Sequence, residues 1–192
     1  MRRGYIKFVA NFKKLLTAFS FFRLRSADLE YFQYKYPSIF AVFLVVSYWV
    51  LSRTIFEIDL DAAIANATTL MGVLIGFYIA ALAAVTSFPN ESLNSVMAGN
   101  APRIKERGGA EFSPITRRRF LSILLGYCAF LSIVVYILGS ASASVKFAAR
   151  TNEFLEVILK AIWWSGYTWL LASLLTVTML CLHYLIDRMH RP

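Results

Sequence analysis

The sequence predicts an all-α, four-transmembrane-helix membrane protein with an N-terminal amphipathic interfacial helix. Three observations predict it. The 192 residues are 58% hydrophobic and only 16% charged, with a mean hydropathy of +0.59, the balance of a bilayer protein rather than a soluble one. Four apolar stretches approach the roughly 20 residues that a spanning helix needs. Lys and Arg are distributed unevenly between those stretches.

The spans are expected at residues 37–52, 62–88, 120–139 and 161–186. The first, PSIFAVFLVVSYWVLS, is short for a bilayer unless its helix starts earlier, near Asp28. Of the 20 Lys and Arg residues, eight precede residue 37, six lie in residues 89–119 and two follow the fourth span. The two remaining loops share four, and one of them adds Glu57, Asp59 and Asp61. The positive-inside rule therefore orients the chain as a multi-pass bacterial inner-membrane protein with both termini and the 89–119 loop cytoplasmic. Trp49, Trp163 and Trp164 then fall at the outer interface, where indole rings contact lipid. The net charge of +9 reports orientation and lipid contact before it reports nucleic acid. Direct nucleic-acid binding is not expected, because the basic loop lacks interleaved aromatics on which bases stack.

No cleavable signal sequence is expected, because Lys13, Lys14, Arg23 and Arg25 interrupt the first apolar run. The whole chain, 1–192, reads as a single membrane domain. Residues 1–27 read as an amphipathic helix: Tyr5, Phe8, Val9, Phe12, Leu15, Leu16, Phe19 and Phe22 recur at helical spacing. Arg3, Lys7 and Lys14 lie on the opposite face, and with Lys13 they supply contacts to anionic headgroups. A cytosolic helix packed on a partner is the alternative for this segment.

Residues 89–119 form the largest piece outside the spans. Pro89 ends span two, because proline disfavours helix at the residue before it. Asn90 and Gly99 can bound a short helix over NESLNSVMAG, and Gly108-Gly109 marks a hinge. Ser113-Pro114 suits the N-cap and first position of the next helix. Thr151 or Asn152 can cap the fourth span, with Glu153 and Glu156 in its first turn.

The second span carries a stripe of small residues: Thr68, Gly72, Gly76, Ala80 and Ala84, each four positions from the last. In lipid no hydrophobic force drives helices together, and small residues let backbones approach closely. The stripe therefore marks helix packing, against another span of the chain or against the same helix of a second copy. A small-residue pore lining is a further alternative. Ser122 and Gly126 on span three make a shorter stripe of the same kind. Arg103, Lys105 and Arg107, with Arg117, Arg118 and Arg119, form the strongest basic patch. It reads either as topology and phospholipid contact or as a docking face for an acidic soluble protein.

Catalytic, metal and cofactor motifs are not found, and no cofactor is expected. Asp59 and Asp61 read as a solvated turn, and His183 with Asp187 as an interfacial hydrogen bond. Cys128 and Cys181 read as small packing residues without a partner implied by spacing. Transporters place ionisable residues mid-membrane, and the central thirds of the spans read as holding none, which argues against a coupled transporter.

A chain of this size with four spans, both ends inside, a long basic loop between spans two and three and no catalytic motif resembles the membrane subunits of bacterial anti-phage systems. Within them it looks like the KwaA family of the Kiwa system. The residues that carry the resemblance are the small-residue second span and the loop ending in RRRF, residues 117–120. The resemblance implies a homo-oligomer, a tetramer, whose cytosolic KwaB-like partner binds DNA and acts as effector. It also implies a trigger at the membrane when phage attaches or injects. A pore that depolarises infected cells and a small housekeeping transporter or channel subunit are the rival readings.

Overall fold

The computed structural model describes residues 20–22, 24–25, 27–54, 60–87, 89, 91–96, 102–105, 112–144 and 153–189. A 3₁₀ turn over residues 20–22 leads into β1 (Leu24–Arg25). A helical run then begins at α1 (Ala27–Glu30) and continues through a π-helical segment (Tyr31–Lys35) into α2 (Tyr36–Thr54). The helix of the first apolar stretch thus starts near Asp28, as its short length requires. Pro37 explains the π turn. It has no N–H to give the Gln33 carbonyl, so the ladder shifts, and the Tyr36 N–H reaches back five residues to the Tyr31 carbonyl.

The remaining elements are α3 (Leu60–Ser87), α4 (Glu91–Asn94), β2 (Arg103–Lys105), β3 (Phe112–Pro114), α5 (Arg117–Ser144) and α6 (Glu153–Met189). Among the described residues, three helices are long and apolar enough to cross a membrane: Ala62–Ser87, Arg117–Ser142 and Ile158–Ile186. The stretch expected as the first span, now α2, is not among them.

The long helices form a row. α5 packs most extensively against α3 and also against α6, and α2 packs against α6. The α3 seam is set by Ile64, Met71 and Tyr78, all buried and seven residues apart, with Leu74, Ala81, Leu82 and Val85 packed beside them. A seven-residue spacing keeps one apolar line facing a neighbour at a shallow crossing angle. Gly139 of α5 is where α3, α5 and α6 converge. A Cβ there would collide with the Thr68 hydroxyl and stand 3.1 Å from the Tyr167 hydroxyl.

Hydroxyl pairs tie the helices at intervals. Tyr78 of α3 and Thr178 of α6 are 2.6 Å apart, and Tyr127 of α5 meets Ser173 of α6 at 3.0 Å. Thr178 donates to the Leu174 carbonyl at 2.7 Å, which leaves Tyr78 as the donor to Thr178.

A three-stranded antiparallel sheet, β1-β2-β3, covers one end of the row. Leu24 stands opposite Ile104 and Arg25 opposite Arg103, while Ile104 stands opposite Ser113 and Lys105 opposite Phe112. This sheet is an addition to the all-helical expectation. It also corrects two local ones. Ser113-Pro114 belongs to β3, whose edge position tolerates proline, and does not open a helix. The helix begins at Arg117, with the Thr116 hydroxyl accepting the Arg119 N–H at 3.4 Å as its cap. Residues 20–22 form a turn and 24–25 a strand where helix was expected, because Phe21 and Leu24 are buried in the core cluster instead of lying along an amphipathic face. The rest of the expected interfacial helix, with Arg3, Lys7, Lys13 and Lys14, lies outside the described residues.

Candidate functional site

The sheet end brings together three segments distant in sequence. Phe21 stacks on Tyr127 with ring centroids 4.6 Å apart, and Phe22 meets the same ring edge-on at 5.5 Å. Tyr127 lies ten residues into α5, about 15 Å along the helix at 1.5 Å per residue. The N-terminal segment therefore reaches well past the start of α5. Its irregular backbone carries carbonyls that need donors in an apolar setting.

Gln33 supplies them. It is 3% exposed, sits in the π-helical segment, and donates its side-chain amide to the Phe21 carbonyl at 2.8 Å and the Leu24 carbonyl at 3.4 Å. The π turn that Pro37 imposes carries this side chain. The segments are closed further by the backbone bond from the Arg117 N–H to the Ser95 carbonyl, 3.3 Å, and by the Val96–Thr116 bridge. Phe21, Leu24, Ile104, Ile115 and Phe120 join Tyr127 in the buried core beneath the sheet.

The residues of the expected basic patch differ in exposure. Arg103 on β2 and Arg119 are exposed, Arg117 and Arg118 are half-buried, and Lys105 contributes its backbone to β2. Arg118 donates to the Thr86 carbonyl at 3.4 Å, in the last turn of α3. A cation there complements the negative end of that helix. Arg118 is thus part of the junction between α3 and α5. Arg107 lies outside the described residues.

The small-residue stripe lies beside the buried seam of α3. Gly72, Gly76 and Ala80 are exposed and Ala84 is half-buried, whereas the buried seam of α3 runs through Ile64, Met71 and Tyr78. A Cβ on Gly76 or on Gly126 would have nothing within 4 Å, and one on Gly72 would meet only the Tyr136 ring at 3.8 Å. Thr68 alone of the stripe takes part in the convergence at Gly139. Ser122 and Gly126 are half-buried on α5 and do not seat the stripe. Small residues permit close approach without showing which neighbour makes it.

Trp49 is 57% exposed and Trp163 39%, while Trp164 is half-buried and edge-on to Tyr167 at 6.5 Å. His183 is exposed beside Tyr184, and the side chains of Asp59, Asp61 and Asp187 lie outside the described residues. Among the described residues no group of three or more His, Cys, Asp or Glu side chains is placed to hold a metal ion.

Sequence reasoning missed Gln33. Its signal was available: a polar residue four positions before a helical proline marks the carbonyl that loses its bond. No family model, no curated protein and no solved structure matches the chain.

Proposed function

We propose that the chain is an oligomeric, four-span inner-membrane subunit that holds a soluble acidic protein at its cytoplasmic face. The observation that supports this reading most is the sheet end itself. Residues 20–22, 24–25, 95–96, 103–105 and 112–116 are gathered at the start of α5, with the exposed Arg103 on the central strand. Such a platform suits docking, while the resemblance to the KwaA family supplies the class: an anti-phage complex that responds to envelope perturbation and regulates a DNA-binding effector. The exposed Gly72, Gly76 and Ala80 face of α3 is the surface through which copies associate, since small residues let backbones of neighbouring subunits approach. A response to the envelope would pass from α3 through Arg118, which ties its last turn to the start of α5. The subunit does no covalent chemistry in this reading.

The test is charge reversal. Replacing Arg103, Lys105 and Arg107 with Glu is expected to release the soluble partner by at least tenfold in pull-down recovery, because each surface cation lost removes steering and each acid added repels. Membrane insertion should persist, since Arg117, Arg118 and Arg119 remain. Unchanged recovery would remove the sheet as the dock. The native mass of the same membrane preparations should be a multiple of the 21.8 kDa chain, and a monomer would remove the oligomer.

A further inference from the structure

The π turn before α2 sorts its side chains. Gln33 is buried, while Tyr31, Lys35 and Tyr36 are exposed. Bonds in a π turn join residues five apart, which brings positions 31 and 36 onto one face. The rings of Tyr31 and Tyr36 accordingly lie with centroids 6.4 Å apart. Lys35 Nζ sits 4.1 Å over the Tyr31 ring, so the ammonium is held against the helix by a cation–π contact. Glu30 is exposed one residue before the turn, but it makes no ion pair with Lys35. A cation beside two phenols is therefore presented outward without a carboxylate to neutralise it.

The helix that follows is an apolar track. Residues 36–49 carry no charge. Tyr36, Phe40 and Phe43 descend one exposed face at helical spacing, and the Phe40 and Phe43 rings lie 6.2 Å apart. Exposed Trp49 stands near the far end. From Tyr31 to Trp49 the helix runs about 27 Å at 1.5 Å per residue, close to the roughly 30 Å of a hydrocarbon core. Tyrosine and tryptophan at the two ends of such a run mark the two headgroup levels.

We propose that Tyr31, Lys35 and Tyr36 bind the phosphate of an anionic phospholipid, with an acyl chain lying along Phe40 and Phe43. The inference rests on the reading that α2 crosses the bilayer. An ammonium seated on a ring keeps N–H donors for a phosphate oxygen, and the two phenol hydroxyls can donate to the remaining phosphate or ester oxygens. Charge selects the lipid. Phosphatidylglycerol brings a net negative charge to Lys35, whereas phosphatidylcholine cancels its phosphate with its own trimethylammonium.

The full chain is placed in phosphatidylcholine vesicles with a trace of photoactivatable lipid. The diazirine is in the acyl chain, and the headgroup is either phosphatidylglycerol or phosphatidylcholine. After illumination the labelled peptides are mapped by mass spectrometry. Labelling of residues 36–43 is expected to be about fivefold stronger from phosphatidylglycerol, the worth of one cation beside an anionic headgroup. Lys35→Gln should bring the two lipids to parity there, and Lys35→Arg should keep the preference. Labelling around the exposed Met179 and Leu182 of α6 is the internal standard, and its persistence in Lys35→Gln reports a folded variant. Equal labelling of residues 36–43 by both headgroups, or a preference that Lys35→Gln leaves intact, would overturn the site. Labelling there by neither lipid would overturn it together with α2 as a span, so the two failures are distinct. A preference lost on adding inorganic phosphate would assign the triad to a free anion and equally overturn the lipid.

Discussion

Gln33→Leu is expected to free the N-terminal segment from the helices while leaving the long helices intact. The substitution keeps side-chain bulk and removes the donor. The Phe21 carbonyl, buried and held at 2.8 Å, then has lost its partner, and the Leu24 carbonyl loses a longer contact at 3.4 Å. A buried acceptor left unsatisfied costs about 1–3 kcal/mol. The apolar gain from Leu does not offset this, because the carbonyls remain in place. The segment that opens is local: the Phe21–Tyr127 stack and the β1–β2 pairing detach together. Trypsin reports it, since Arg23 precedes β1 in the sequence and Arg25 is its last residue. Cleavage there should speed up by roughly tenfold or more, each 1.4 kcal/mol of opening energy being about a factor of ten. Unchanged cleavage would show that Gln33 does not hold the segment.

Gly139→Ala is the second large effect, and its sign is set by a contest. Alanine is favoured over glycine inside a helix by about 1 kcal/mol. At Gly139 the new methyl would collide with Thr68 Oγ1, which is pinned by its own bond to the Ile64 carbonyl at 2.8 Å. The Tyr167 hydroxyl at 3.1 Å and Ile64 Cγ2 at 3.5 Å close the other exits. Overpacking of this kind costs about 1–3 kcal/mol, and the three-helix convergence leaves little room to relax. Net destabilisation is expected as a lower thermal midpoint in detergent, with partial recovery in Thr68→Ala/Gly139→Ala. Gly126→Ala is the internal contrast. Nothing stands within 4 Å of a Cβ there, so only the helical preference remains and the midpoint should hold or rise. Equal behaviour of the two variants would contradict the convergence at Gly139.

The long helices were legible in the sequence because their signal is collective. Apolar runs of sufficient length announced α3, α5 and α6: α3 matches its expected bounds within two residues, while α5 extends three and five residues past its expected ends and α6 eight and three. The early start of the first helix was legible too, from a length argument. The sheet was not. β1 has two residues and β2 and β3 three each, too few for an alternating pattern, and their partners lie up to 80 positions apart. Local propensity misled at Ser113-Pro114, where pairing with Arg103 and Ile104 prevailed over a good capping pair. Periodicity misled at Phe22, whose helical spacing was overridden by packing on Tyr127. The stripe on α3 reads as a packing face against another span or a second copy, and the buried seam of the chain runs beside it. Sequence shows which side chains are small, while the seam follows the larger Ile64, Met71 and Tyr78 that fill space against α5.

The proposed function rests on the sheet end facing the cytoplasm. The most direct measurement places one exposed thiol there, Arg103→Cys in a chain whose own cysteines are changed to serine, and applies a membrane-impermeant maleimide. The account predicts labelling in inverted inner-membrane vesicles and none in intact cells with a permeabilised outer membrane. Labelling from outside intact cells would contradict it.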